Sequence, residues 1–282
     1  MKHILYTILI LFVFKANGQV KTDTTTKKNI PDTLKKDLFT APDTVRKLHS
    51  KPWALVPPAV LVGYGITSFY APPLRQLDHY VYDQTAKHDF IPNSHLENFF
   101  QYTPVVLVYA INLVGVHGKN TFVDRTLIYA LSQGMLELTA FSLKHATHRT
   151  RPNGSDRYSF PSGHTANAFN GAEFMSQELG GKSIVYSTIG YTFATTTGVF
   201  RIYHQDHWLS DVIAGAGLGI LSSKGAYLLY PYIRNAFTKP DKDKPKNESI
   251  PIDQRKPKQS KNKILLPSFQ DGSIGLQFAM QL

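Results

Sequence analysis

The sequence predicts an all-α protein, a bundle of about six helices associated with a membrane and followed by a short β-like tail. Three observations carry this. Between Trp53 and Tyr230 the apolar residues fall into runs too long for strands, and one of them, Thr121–Thr147, sets Leu127, Leu131, Met135, Leu136, Leu138 and Phe141 on one broad face. The connections between runs are short and marked by Pro and Gly, as a bundle requires. Alternation of period two is confined to Ile274–Leu282.

Taken in order, residues 1–18 read as a signal peptide: Lys2, an apolar run from Ile4 to Phe14, then Ala16 and Gly18 ahead of a cut before Gln19. That run is too short to span a bilayer comfortably. Export to the cell envelope is the expectation. Residues 19–51 form a polar linker, and residues 52–236 the helical domain. In it, Trp53–Tyr70 is broken by Pro57-Pro58 and ends at Pro72-Pro73, read as a helix stop. Residues 74–97 mix charges, aromatics and histidines and read as a connecting segment. Tyr102–Val116 is a second helix and Thr121–Thr147 a third. His164–Leu179 is rich in Ala and small polar residues and stops at Gly180-Gly181. Ser183–Val199 is β-branched, but its length favours a helix. Trp208–Tyr230 carries Asp211 on its first turn, and Gly215, Gly217 and Gly219 permit close packing against a neighbour.

Residues 237–282 form a basic tail ending in one strand-like segment, whose partner is the core or another chain. Several helices approach the membrane-spanning length, yet Glu137, Glu173 and Lys224 interrupt them and the mean hydropathy is −0.21. If Trp53–Tyr70 spanned the bilayer after a cleaved signal, the Lys144 end of the third helix would face the cytoplasm. If that run only dips in, the same end faces the periplasm, and this second arrangement is the reading taken.

The chain carries a formal charge of +11 and no cysteine. Disulfide and thiolate chemistry are excluded, and the basic balance favours anionic partners, a phosphorylated substrate or an acidic lipid surface. Nucleic acid is not among them, because the cations are not laid out as a stripe interleaved with aromatics.

Chemistry concentrates between Lys144 and Asp211 in three clusters: Lys144-x6-Arg151-Pro152, Pro161-Ser162-Gly163-His164 and Arg201-x5-His207-x3-Asp211. His207 and Asp211 lie four apart at a helix start, so the carboxylate can orient the imidazole and leave its other nitrogen as a nucleophile. Ser162 is a preferred N-cap and Gly163 lets the backbone approach an oxyanion at a helix N-terminus. His164 is placed to protonate a leaving oxygen. Lys144, Arg151 and Arg201 neutralise phosphoryl oxygens. Positioning and charge stabilisation carry most of phosphoryl transfer, so the set needs neither metal nor cofactor. Two histidine pairs, His145/His148 and His204/His207, have metal-ligand spacing but lack a surrounding supply of acids or thiolates.

At these residues the sequence resembles the type 2 phosphatidic acid phosphatase superfamily, which includes class A acid phosphatases and vanadium haloperoxidases. The resemblance covers about residues 100–230. It implies a metal-independent phosphatase acting through a phosphohistidine on His207, with Asp211 orienting, His164 as acid, and Lys144, Arg151, Ser162, Gly163 and Arg201 on the phosphate. A phosphorylated lipid is the implied substrate. A broad-specificity secreted acid phosphatase, a haloperoxidase and a non-catalytic phospholipid-binding envelope protein share the same pocket. Phe200 departs from the pattern by standing where the family usually has Ser. The eight residues between Pro152 and Pro161 leave little room for a lid.

Overall fold

The computed structural model describes residues 52–87, 95–237, 263–270 and 273–280. The signal-peptide and linker readings fall outside these residues. The chain divides into two compact units, Met1–Lys239 and Pro240–Leu282.

In the first unit a 3-10 turn, Pro52–Leu55, leads into α1 (Val56–Thr67), α2 (Pro72–Ala86), the short α3 (Glu97–Phe100), α4 (Thr103–Leu113), α5 (Phe122–Thr147), α6 (Gly163–Leu179), α7 (Ile184–Tyr203) and α8 (Leu209–Phe237). The helical expectation holds, with two helices added. Pro72-Pro73 opens α2 instead of closing α1. Proline suits the first helical positions, where its fixed φ is already right and no N–H is needed. Residues 74–86 of the segment read as a connection therefore belong to a 15-residue helix, and Glu97 at its end opens α3; the charges and histidines hid the periodicity. α7 continues past Val199 to Tyr203, and α8 passes Pro231 to reach Phe237.

The bundle is built around α6, which packs on α8, α7, α4 and α5. Although α6 is rich in polar residues, it is buried nearly all round, with Ala166, Asn170, Phe174 and Met175 fully enclosed. Small residues make this possible. A methyl at Gly215 would stand 2.6 Å from the Ser162 carbonyl oxygen, and one at Gly219 would overlap the Ala166 carbonyl. Gly217 points the other way, where a methyl would stand 2.5 Å from the Pro58 carbonyl of α1. Alternate glycines thus press α8 against α6 on one side and α1 on the other, as the sequence anticipates.

Two of the charges that interrupt the apolar helices, Glu173 and Lys224, pair with each other, and the third, Glu137, accepts from Gln133 Nε2 at 2.8 Å. Lys224 Nζ lies 2.7 Å from Glu173 Oε1, and Tyr191 donates to the other oxygen of that carboxylate. Glu178 accepts from Arg125 Nε at 3.1 Å, from Tyr227 at 2.6 Å and from the Asn120 amide at 2.6 Å. Burying such groups singly would cost several kcal/mol each, and mutual pairing offsets this.

One described helix, Leu209–Ala236, is long and apolar enough to cross a membrane, with mean hydropathy 1.4; 61% of its most apolar window lies inside the protein. The pair Pro52–Thr67 and Pro72–Ala86 meets the same length and composition test together, but is bent by 89°. α1 alone has 12 residues, about 18 Å at 1.5 Å per residue, short of a hydrocarbon core of roughly 30 Å.

In the second unit the strand-like segment finds its partner within the tail itself. β1 (Lys263–Gln270) pairs antiparallel with β2 (Ser273–Met280) in a register running from Lys263↔Met280 to Gln270↔Ser273. The expectation of a single strand is corrected to a hairpin. Asp271-Gly272 between the strands is the strongest short-range hairpin signal a sequence carries. Pro267 in β1 masks it, because proline lowers the strand reading of that segment.

Candidate active site

Three chain segments meet at one place. α5 ends in a left-handed residue, His148 at φ 45°, whose N–H bonds the Lys144 carbonyl. Lys144, in the last turn, sends its ammonium to the carbonyls of Tyr158 at 2.6 Å and Pro161 at 2.9 Å, tying the returning loop to the helix. That loop delivers Ser162 to the N-cap position of α6. The Ser162 hydroxyl meets the Thr165 hydroxyl at 2.9 Å, and the Ser162 N–H donates to the Asp211 carbonyl at 3.1 Å. The first ladder bond of α6 runs from Ala166 N–H to Ser162 O, so the N–H groups of Gly163, His164 and Thr165 precede the ladder. A methyl at Gly163 would meet nothing within 4 Å, which leaves room for an anion there. The third segment runs from Arg201, in the last turn of α7, to Asp211 in the first turn of α8.

His207 is 2% exposed and lies at the centre. Its Nδ1 stands 2.7 Å from the backbone carbonyl of Ser159, and its Nε2 stands 3.1 Å from Arg151 Nη1. A carbonyl only accepts, so Nδ1 carries the proton and Nε2 presents its lone pair toward the guanidinium. Arg151 is itself fixed by Asp156 at 2.8 Å and the Asp206 carbonyl at 3.0 Å.

Asp211 approaches Nδ1 only to 3.8 Å. The direct hydrogen bond anticipated from the i,i+4 spacing is replaced by an indirect one, in which the Ser159 hydroxyl donates to Asp211 Oδ2 at 2.5 Å while the Ser159 carbonyl takes the imidazole proton. The same carboxylate accepts the Trp208 N–H at 3.0 Å and Arg149 Nη1 at 2.7 Å. Arg149 also bonds Asp78 of α2 at 2.6 Å, and Asp78 accepts the backbone N–H and hydroxyl of Ser210 at 2.8 and 2.6 Å. Phe69 and Trp208 cover the Arg149 guanidinium at 5.0 and 5.6 Å. Asp78, Arg149 and Ser159 form a buried chain behind His207, and sequence reasoning missed all three as site residues. Arg149 sits within the basic cluster before Pro152, which alone reads as surface.

Residues 125–235 match the family model of the PAP2 superfamily, a segment that holds all three clusters. Over this segment the chain is similar to the PAP2 superfamily. The chain is also 35% identical over 133 residues to a lipid A 1-phosphatase of Porphyromonas gingivalis; the alignment covers 47% of this chain and 30% of that protein. It is similar to a solved transmembrane PAP2 type phosphatidylglycerolphosphate phosphatase of Bacillus subtilis, with TM-score 0.46 and 19% identity over 66% of this chain and 98% of that one. Similarity to the solved Aquifex aeolicus LpxE has TM-score 0.39 and 24% identity, over 54% of this chain and 92% of that one.

The remaining residues of the three clusters line the same place. His164 Nε2 lies 2.8 Å from the Asn98 side-chain oxygen. Arg201 Nη1 pairs with Asp206 at 2.8 Å and lies 3.5 Å from Glu97, while its Nε is buried with no partner among the described residues. Phe200 packs on Phe100 and His204, with ring centres 6.1 and 6.0 Å away. Burial first, and then the crowding of cations, shapes the titrations. Burial, reinforced by Arg151 and Lys144 against the opposing pull of Asp211, lowers His207 to about 4. Burial, then Arg201 and His207, lowers His164 to about 4. Lys144 falls to about 8 through burial and the Arg151 charge. A cluster of cations of this kind favours a bound anion.

Proposed function

We propose that the chain is a membrane-associated lipid phosphatase that works through a phosphohistidine on His207. The single observation that carries this is the fixed orientation of His207, with Nδ1 on the Ser159 carbonyl and Nε2 turned to the Arg151 guanidinium. A neutral imidazole with its lone pair beside a cation is arranged to attack a phosphorus whose oxygens that cation holds. Arg151, Arg201, Lys144, Ser162 and the N–H groups at Gly163 and His164 cradle the phosphoryl group. As the bond from Nε2 to phosphorus forms, the bond to the lipid oxygen breaks and His164 gives that oxygen a proton. Water then attacks the phosphorus, His164 takes its proton back, and orthophosphate leaves His207.

A lipid is favoured over a soluble ester by the surroundings of the cradle. Phe141 is 62% exposed on α5 and stacks 4.0 Å from His145, which lies 5.0 Å from Tyr158, whose carbonyl binds Lys144. This aromatic ridge leads from the protein surface to the phosphate cations. The Porphyromonas gingivalis relative is a lipid A 1-phosphatase, which supports trying a glycolipid phosphate alongside phosphatidate and polyprenyl pyrophosphate. The signal-like residues 1–18 and the bend between α1 and α2 favour a site facing the periplasm.

Phosphate release by the purified chain, with excess chelator, across phosphatidate, polyprenyl pyrophosphate, lipid A and a soluble phosphomonoester tests the reading. Release from one or more lipids well ahead of the soluble ester is expected. Equal rates on the soluble ester would point to a broad-specificity acid phosphatase, and no release at all would end the enzymatic reading.

The pH dependence has a defined sign. With His164 at about 4, its acid form is scarce at neutral pH. An arriving phosphate offsets Arg201, the largest charge acting on His164, so its pKa rises on binding. The alkaline limb of kcat therefore lies above that of kcat/KM, since the two report the bound and free enzyme. Activity falls on the acid side as His207 is protonated near 4. Imidazole NMR titration with and without vanadate checks this, and an unchanged His164 would count against its role as the acid.

A further inference from the structure

We infer that His95, Glu97 and His204 form a binding site for one transition-metal cation of the zinc class, outside the phosphoryl-transfer path. Glu97 is fully buried on the short α3, and its Oε1 stands 3.1 Å from His95 Nδ1 and 3.0 Å from His204 Nδ1. All three donor atoms lie within 4.8 Å of one another. A tetrahedral ion about 2.0 to 2.1 Å from each donor sets neighbouring donors roughly 3.4 Å apart, so the two contacts to Glu97 Oε1 need to lengthen by only a few tenths of an ångström. The second carboxylate oxygen, Oε2, is buried with no donor among the described residues. A buried carboxylate oxygen left without a donor is costly, and a cation held by both carboxylate oxygens would satisfy it.

The donor set selects the ion. Two imidazoles and one carboxylate suit zinc and its transition-metal neighbours, whereas calcium and magnesium take oxygen ligands. His95 has a side chain 60% exposed and gives a route from solvent, while His204 at 11% and Glu97 at 0% form the floor. Phe200 stacks against His204 and walls one side. The nearest competing cation is Arg201, 3.5 Å from Glu97 Oε1, and it keeps its shorter partner Asp206 at 2.8 Å when a metal takes the carboxylate. His207 is not a member, because both its nitrogens are engaged by Ser159 and Arg151. The histidine that pairs with His204 is thus remote in sequence, not the one three residues on.

Binding is read without reference to turnover, so it stands or falls apart from the phosphatase reading. The full chain, stripped with chelator and dialysed, is titrated with Zn2+ by calorimetry and with Co2+ by visible absorption at pH 7.5. One ion per chain is expected, with cobalt bands displaced by zinc. His95→Ala and Glu97→Gln abolish stoichiometric binding, and the double change His145→Ala with His148→Ala does not. His95 is exposed, so its variant keeps the fold even if Glu97→Gln does not. Substoichiometric uptake by the wild type, or full binding by His95→Ala, would overturn the assignment.

Discussion

His207→Ala is expected to abolish phosphate release, lowering kcat by about 10^4-fold or more, the scale seen when a covalent nucleophile is removed. The geometry isolates the effect. Arg151 keeps Asp156 and the Asp206 carbonyl when the imidazole is gone, so the cations stay in place and substrate binding is retained while chemistry is lost. A brief reaction with 32P-labelled substrate, quenched in base, should leave label on the wild type and none on the variant. Phe200→Ser makes the opposite control. Its ring rests on Phe100 and His204, so turnover should remain within a few-fold. Equal turnover by wild type and His207→Ala would remove the covalent mechanism.

The second large effect is on stability. Arg149→Met leaves Asp78 and Asp211, 1% and 0% exposed, without the guanidinium that bonds both. Removing one partner of a buried ion pair costs about 3–5 kcal/mol. For a domain of this size that lowers Tm on the order of 10 °C. Methionine roughly fills the volume, so the loss reports the unpaired carboxylates and not a cavity. Adding Asp78→Asn to Arg149→Met should recover part of it, since one of the stranded charges is then neutral. A double-mutant cycle by thermal melting measures the coupling. A melting point for Arg149→Met within about 1 °C of the wild type would mean the pair contributes nothing.

Why Arg149 escaped notice and His207 did not is a matter of chain distance. His207 and Asp211, or Lys144 and Arg151, are spaced within one helix or one helix end, so their mutual reach can be read from the number of residues between them. Asp78 acts on Arg149 from 71 residues away, and Glu97 acts on Arg201 across 104. Neither has any local mark, and α2 itself was concealed by its polarity and its paired prolines. The glycines of α8 were legible because close approach needs only the absence of a side chain. The hairpin partner of the terminal strand was hidden by Pro267, although Asp271-Gly272 stood beside it.

The acceptor that turns His207 is a main-chain oxygen, the carbonyl of Ser159. Point substitution cannot delete it. A mutational scan of this domain would charge the orienting role to whichever side chains shift the loop, Ser159 and Lys144 among them, and would never register the atom responsible. The quantity under constraint is the path length from Pro152 to Pro161, so insertion or deletion of one residue there should be less tolerated than almost any replacement. In diverging relatives of such a domain, the loop's length would then be a steadier signature of the reaction than its composition.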